Sequence, residues 1–161
     1  MKLIQCVALS ALLCASGFAL PQMQSLTAKD TWAAAKLSAT EIQQITAAIE
    51  DSAFDTPDSW VQELRVRRVD LGAAPGIVAQ GTKLLCGGTG NCQIFVLRKT
   101  NGKWTSLFGT EQAPLAESFQ LGPAAAHGIK DLTVAANSSV ESSAHLTYKF
   151  DGNVYRVSKK Q

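Results

Sequence analysis

The chain has 161 residues, 46% of them hydrophobic, with 15 Lys and Arg against 13 Asp and Glu for a net charge of +2. That near-balance gives no electrostatic reason to expect nucleic acid or an anionic membrane surface as a partner. The length suffices for one domain with a sizeable core.

In chain order, Lys2 precedes the apolar run Leu3–Leu13, and Ser16-Gly17-Phe18-Ala19 follows it. Small residues at the −3 and −1 positions, Gly17 and Ala19, suit signal peptidase, so residues 1–19 read as a secretory signal. The run is too short to span a bilayer, and no second long apolar segment follows, so no stable membrane insertion is expected. Cys14 would suit a lipoprotein, but Leu13 before it is too large for that cleavage pattern. The mature chain is therefore expected in the periplasm or outside the cell.

Residues 20–37 are polar and irregular and read as a mobile leader. Ser38-Ala39-Thr40-Glu41 fits a capping box, with Ser38 as N-cap and Glu41 at N3. Ile42, Ile45 and Ile49 then share one helical face, which predicts a helix over Thr40–Ser52, with Trp32 in the same cluster. The turn-rich stretch Asp51–Ser59, with Pro57, ends it.

From Trp60 the period becomes strand-like: Leu64, Val66 and Arg68 alternate with Arg65, Arg67 and Val69. Asp70–Gly76 reads as a turn. Ile77–Leu97 reads as two strands folded back around the glycine-rich loop CGGTGNC, with Cys86 and Cys92 at its ends. Asn101-Gly102 predicts a type I′ hairpin turn into Trp104–Phe108. Gly109–Leu115 reads as a loop, Ser118–Leu121 as a short strand, Pro123–His127 as a loop and Ile129–Ala135 as a strand. Asn137–Ser143 reads as a polar connection. Leu146, Tyr148 and Phe150 then face one way, Asp151-Gly152 turns, and Val154, Tyr155 and Val157 form a last strand before a solvated tail. No repeat is evident. A helix followed by seven or eight hairpin-linked strands predicts an α+β fold, mainly antiparallel β. The expectation is a curved sheet or small barrel with the helix packed on it, in one domain over residues 38–161.

Cys6 and Cys14 leave with the signal, so Cys86 and Cys92 remain as one pair in an oxidising compartment. Neighbouring strands bring Cα atoms within the roughly 4.4–6.8 Å that a disulfide needs. Closing so short a ring contributes about 2 kcal/mol in the chain-entropy account. The five-residue spacing suits neither a redox CxxC motif nor a zinc knuckle.

Other chemistry is sparse. His127 and Asp131 are four apart, but Gly128 between them and the extended run after them oppose helical i,i+4 geometry. His145 enters a strand at the solvent-facing parity. No G-x-S-x-G exists, so Ser142 and Ser143 form no nucleophile elbow. Arg65, Arg67, Arg68, Lys99 and Lys103 would make either a basic face for an acidic partner or a solvated strand face. Trp60 and Trp104 read as core. The glycine-rich loop lacks the Lys-Ser/Thr end of a P-loop. Asn137-Ser138-Ser139 is a glycosylation sequon in a eukaryotic host. No catalytic set, metal site or cofactor is implied.

Gly128-Ile129-Lys130-Asp131-Leu132-Thr133-Val134, followed by Tyr148-Lys149-Phe150-Asp151-Gly152-Asn153-Val154-Tyr155, resembles a C-terminal pattern of small exported bacterial proteins of unassigned function. CGGTGNC is similar to the cysteine loop seen in some of them. The resemblance implies a periplasmic or secreted β-rich domain and no activity. The same G-x-x-D-L-x-V piece also resembles the end of an integrin-type calcium repeat, but Ala124, Ala125, Ala126 and His127 stand where that repeat has its oxygen ligands.

These readings lead to an exported, non-enzymatic binding domain for an envelope macromolecule, of the inhibitor or immunity type. The alternatives are a hydrolase whose site assembles only in the fold, from His127, Asp131 or His145, and a small-ligand carrier with an apolar cavity.

Overall fold

The computed structural model describes residues 22–50, 53, 60–139 and 142–160. The stretch 1–19, read as a secretory signal, lies outside the described residues, as does the stretch 51–59, read as ending the helix, apart from Ala53.

Helix α1 (Ala39–Glu50) starts where the capping box places it. Ser38 Oγ accepts the Glu41 N–H at 3.2 Å, and the Glu41 carboxylate accepts the Ser38 N–H at 3.1 Å. Ile45 and Ile49 are fully buried and Ile42 half-buried, as the stripe predicts. Trp60–Glu63 is a 3-10 turn, so the strand-like run begins only at Arg65.

Strands β1 (Arg65–Asp70), β2 (Pro75–Gln80), β3 (Cys92–Thr100) and β4 (Lys103–Ser106) form an antiparallel meander. The two-residue β5 (Leu115–Ala116) adds to β3. A second antiparallel meander follows: β6 (Ser118–Ala126), β7 (Ile129–Ser139), β8 (Ser142–Phe150) and β9 (Tyr155–Lys160). The helix on antiparallel β is as expected. The single curved sheet or barrel of seven or eight strands is not: the described residues hold nine strands in two open sheets.

The physical reason lies in β3, where Gln93 through Leu97 are all buried. Consecutive strand residues point to opposite faces, so the first sheet is covered on both sides. Lys99 reaches Glu41 of α1 at 2.9 Å. Its neighbour Arg98 points the other way and lies 4.8 Å over the Phe150 ring of the second sheet. The layers are therefore helix, sheet, sheet, and buried side chains from all three join one core cluster.

Several turns deserve their residues. Asn101 and Gly102 both have positive φ, 51° and 78°, as a type I′ hairpin requires. His127 and Gly128 repeat that pattern, at 50° and 80°, and make a tight turn that the sequence reading placed in a loop. Histidine tolerates the left-handed region better than most side chains. The expected loop Pro123–His127 is strand up to Ala126, because a register shift between Leu121 and Ala125 absorbs the proline. The polar run Asn137–Ser143 continues β7 and β8 up to the Ser139–Ser142 pairing.

The two meanders meet main chain to main chain: Ala73 N–H donates to Gly128 O at 2.8 Å and Lys130 N–H to Leu71 O at 2.9 Å.

The segment 22–37, read from its composition as a mobile leader, packs along both sheets. Gln24 exchanges both main-chain hydrogen bonds with Phe119 of β6, at 2.7 and 2.8 Å. Asp30 O accepts the Val66 N–H of β1 at 2.9 Å. Leu26 and Ala35 are buried, and the Trp32 indole donates to Val61 O at 3.0 Å. Among the described residues no helix is long and apolar enough to cross a membrane.

Candidate functional site

The β2–β3 connection is where the two meanders differ most. Ile77 pairs with Leu97 and Gln80 with Ile94, so the predicted hairpin forms. Its far end departs from the strand reading of Leu84 and Leu85. β2 stops at Gln80, and Lys83–Leu85 form a 3-10 turn. Gly81 permits this, since a Cβ there would lie 2.2 Å from the Leu85 Cβ. Leu85 is fully buried while Leu84 is 59% exposed. Thr82 Oγ1 donates to Glu63 O at 2.7 Å and ties the turn to the end of the earlier 3-10 turn.

The loop closes as expected, with a disulfide between Cys86 and Cys92. The cysteines form an isolated antiparallel bridge, and the flanking Gly87 N–H donates to Asn91 O at 2.7 Å. This is the non-hydrogen-bonded kind of pair, in which the chains approach most closely; the Cα atoms, 3.8 Å apart, are nearer than the roughly 4.4–6.8 Å expected of a disulfide. Gly88, Thr89 and Gly90 are exposed at the tip. Leu115 of β5 pairs with Gln93, beside Cys92, and is 38% exposed. Leu84 and Leu115 thus flank the loop, and they are two of the three large apolar side chains exposed among the described residues.

Beneath the loop an open cleft of about 630 Å³ runs between the 25–31 segment and the end of β2. Cys86 and Cys92 line it, with Asp30, Glu63, Arg65 and Lys83 among its charged walls. Asp30 and Glu63 each have a cationic partner close by. Arg67 forks onto Asp30 at 2.7 and 2.8 Å and, with Thr27, holds that carboxyl at about 2. The Thr82 hydroxyl, then Lys83, hold Glu63 below the usual carboxylate range. An open cleft walled in part by charged side chains does not enclose an apolar ligand as a carrier's cavity does.

The basic candidates divide between the two faces of the first sheet instead of sharing one. Arg67 serves Asp30, and Arg65 donates to Leu26 O at 3.1 Å. Arg68 donates to Ala35 O at 2.6 Å, and Lys99 binds Glu41. Lys103 is exposed at the start of β4. Trp60 and Trp104 are buried, in keeping with a core role.

The hydrolase candidates are not brought together. His127 sits on the β6–β7 turn with its ring edge toward Phe150. His145 pairs with Ala135 in β8, six strand residues beyond Ile129, roughly 20 Å along the ladder. Asp131 lies in β7 beside Gly122. The sequon residue Asn137 is inside β7, its Nδ2 donating to Glu117 at 3.0 Å. Among the described residues no three His, Cys, Asp or Glu side chains gather as a metal site.

Sequence reasoning missed Asn91. It is 5% exposed, and its amide bonds to the main chain of Asn137 in the second sheet. Its position next to Cys92 was visible, but its distant partner was not. No protein-family model matches the chain, and neither a curated protein nor a solved structure does.

Proposed function

We propose that the chain is an exported, non-enzymatic protein that presents its disulfide loop to a macromolecule of the cell envelope, as an inhibitor or immunity-type protein does. One observation carries this reading. Where the second meander runs its strands on to the Ser139–Ser142 pairing, the first stops at Gln80. It builds a 3-10 turn and a covalently closed loop there instead, with Leu84 and Leu115 exposed beside it. A rigid, partly apolar projection loses little entropy on docking. The signal-like segment and the resemblance to small exported bacterial proteins support the location.

The test is capture of partners from an envelope extract by the parent, by Leu84→Asp with Leu115→Asp, and by a variant with the 87–90 tip shortened. Leu84 is 59% and Leu115 38% exposed, and circular dichroism checks that the charged variant keeps its fold. A partner held by the parent and released by both variants supports the proposal. Binding indifferent to the loop, or no partner at all, overturns it. Protein that stays inside the cell with residues 1–19 still attached, by mass, overturns the export step.

A further inference from the structure

The loop is held by more than sulfur. Asn91 Nδ2 donates to Asn137 O at 2.8 Å and to Thr89 Oγ1 at 2.7 Å, and Asn91 Oδ1 accepts the Asn137 N–H at 2.8 Å. An amide that gives to and takes from one residue's main chain does the work of a neighbouring strand. Here it joins the disulfide loop of the first sheet to β7 of the second. Inside the loop, Gly87 N–H donates to Asn91 O at 2.7 Å and Gly90 N–H to Gly87 O at 3.0 Å. On the outer side of each cysteine stands a fully buried residue, Leu85 before Cys86 and Gln93 after Cys92. None of these restraints passes through the S–S bond.

We propose that Asn91 is the positioning residue of this loop: it keeps Cys86 and Cys92 facing each other in the dithiol as in the disulfide. Reduction then leaves the loop's shape in place, and the disulfide re-forms as an intramolecular reaction between two held thiols. The inference is independent of whether the loop meets a partner. Both cysteines line the cleft, so a small dithiol reaches them. With dithiothreitol, two electrons and two protons pass to the pair. The S–S bond breaks into two thiols, and the reagent closes to its cyclic disulfide. The equilibrium constant of that exchange reports how closely the protein holds its sulfurs.

The experiment equilibrates the parent, Asn91→Ala, Asn91→Asp and Asn137→Ala in dithiothreitol redox mixtures and counts alkylated thiols by mass. Asn91→Ala is expected to be reduced at least tenfold more readily, a rise in potential of about 30 mV. Asn91→Asp keeps the acceptor for the Asn137 N–H but sets a carboxylate oxygen against the Asn137 carbonyl, and is reduced at least as readily as Asn91→Ala. Asn137→Ala matches the parent, because Asn137 enters the clip through its main chain. In the reduced parent the Gly87, Gly90 and Asn137 amides exchange slowly with deuterium; in reduced Asn91→Ala they exchange fast. An Asn91→Ala equilibrium constant less than tenfold from the parent's overturns the proposal. So does a reduced parent whose loop amides exchange like an unstructured chain. If Asn91→Ala does not fold, the Asn91→Asp potential and the exchange of the reduced parent decide.

Discussion

Asp30 and Arg67 offer the cleanest electrostatic test of how the N-terminal segment is held. The Asp30 carboxylate accepts Arg67 Nε and Nη2, the Thr27 N–H at 2.7 Å and the Thr27 hydroxyl at 3.0 Å. Its side chain is 14% exposed and that of Arg67 is 32%. With the carboxyl at about 2 when folded and about 3.9 when unfolded, the ionised form stabilises the fold by at most roughly 2.5 kcal/mol. Solvent around the guanidinium screens part of this, which leaves about 1–2 kcal/mol. The folded value lies below the unfolded one. The contribution is therefore complete above about pH 4 and is lost as pH falls through about 2.

Asp30→Asn keeps the shape and removes the charge. Urea unfolding at pH 7 should show the variant less stable by about 1–2 kcal/mol, a shift of the midpoint of roughly 0.5–1 M. The gap should narrow between pH 4 and pH 2 and close below that. Glu41, held at about 2 chiefly by Lys99, takes up its proton in the same window. Both proteins carry it, so it cancels in the difference. Equal stability at pH 7, or a gap that stays constant down to pH 2, would refute the reasoning.

Other perturbations separate packing from covalent restraint. Ile45→Ala empties a fully buried position where α1 meets the first sheet and should cost about 2–5 kcal/mol, read as a fall in melting temperature. Gly76→Ala places a Cβ 2.3 Å from the side chain of fully buried Leu71, and the overpacking should cost about 1–3 kcal/mol in the same assay. Ser38→Ala removes the N-cap acceptor for the Glu41 N–H and should cost about 1 kcal/mol in urea unfolding. Replacing Cys86 and Cys92 together by Ser should lower global stability by about 2 kcal/mol through the unfolded chain, while hydrogen exchange within the native loop stays slow.

What the sequence disclosed and what it concealed divide along contact range. The capping box at Ser38 and Glu41, the isoleucine stripe, the Asn101-Gly102 turn and the cysteine pair are statements about neighbours, and each stands as read. The number of sheets was out of reach. An uninterrupted buried run such as Gln93–Leu97 says that both faces are covered but not by what. The covers are α1, far upstream, and β6–β9, far downstream. The basic residues misled for the same reason. Arg65, Arg67 and Lys99 look like one solvated set until Leu26, Asp30 and Glu41 arrive from the N-terminal side.

Asn91 is the sharpest case of the same rule. Beside Cys92 it passes for a turn residue, chosen for its tolerance of a loop. In the fold it is buried, and its partner is the main chain of Asn137, so the identity of residue 137 carries no trace of the pairing. The glycine-rich loop is thus fixed by an interaction that is invisible from either end. Elsewhere the meanders use tight two-residue turns, Asn101-Gly102 and His127-Gly128, whereas the β2–β3 connection is longer and closed by a disulfide. The β2–β3 segment abandons the simplest way of joining two strands and is bonded to sulfur on one side and to the second sheet on the other.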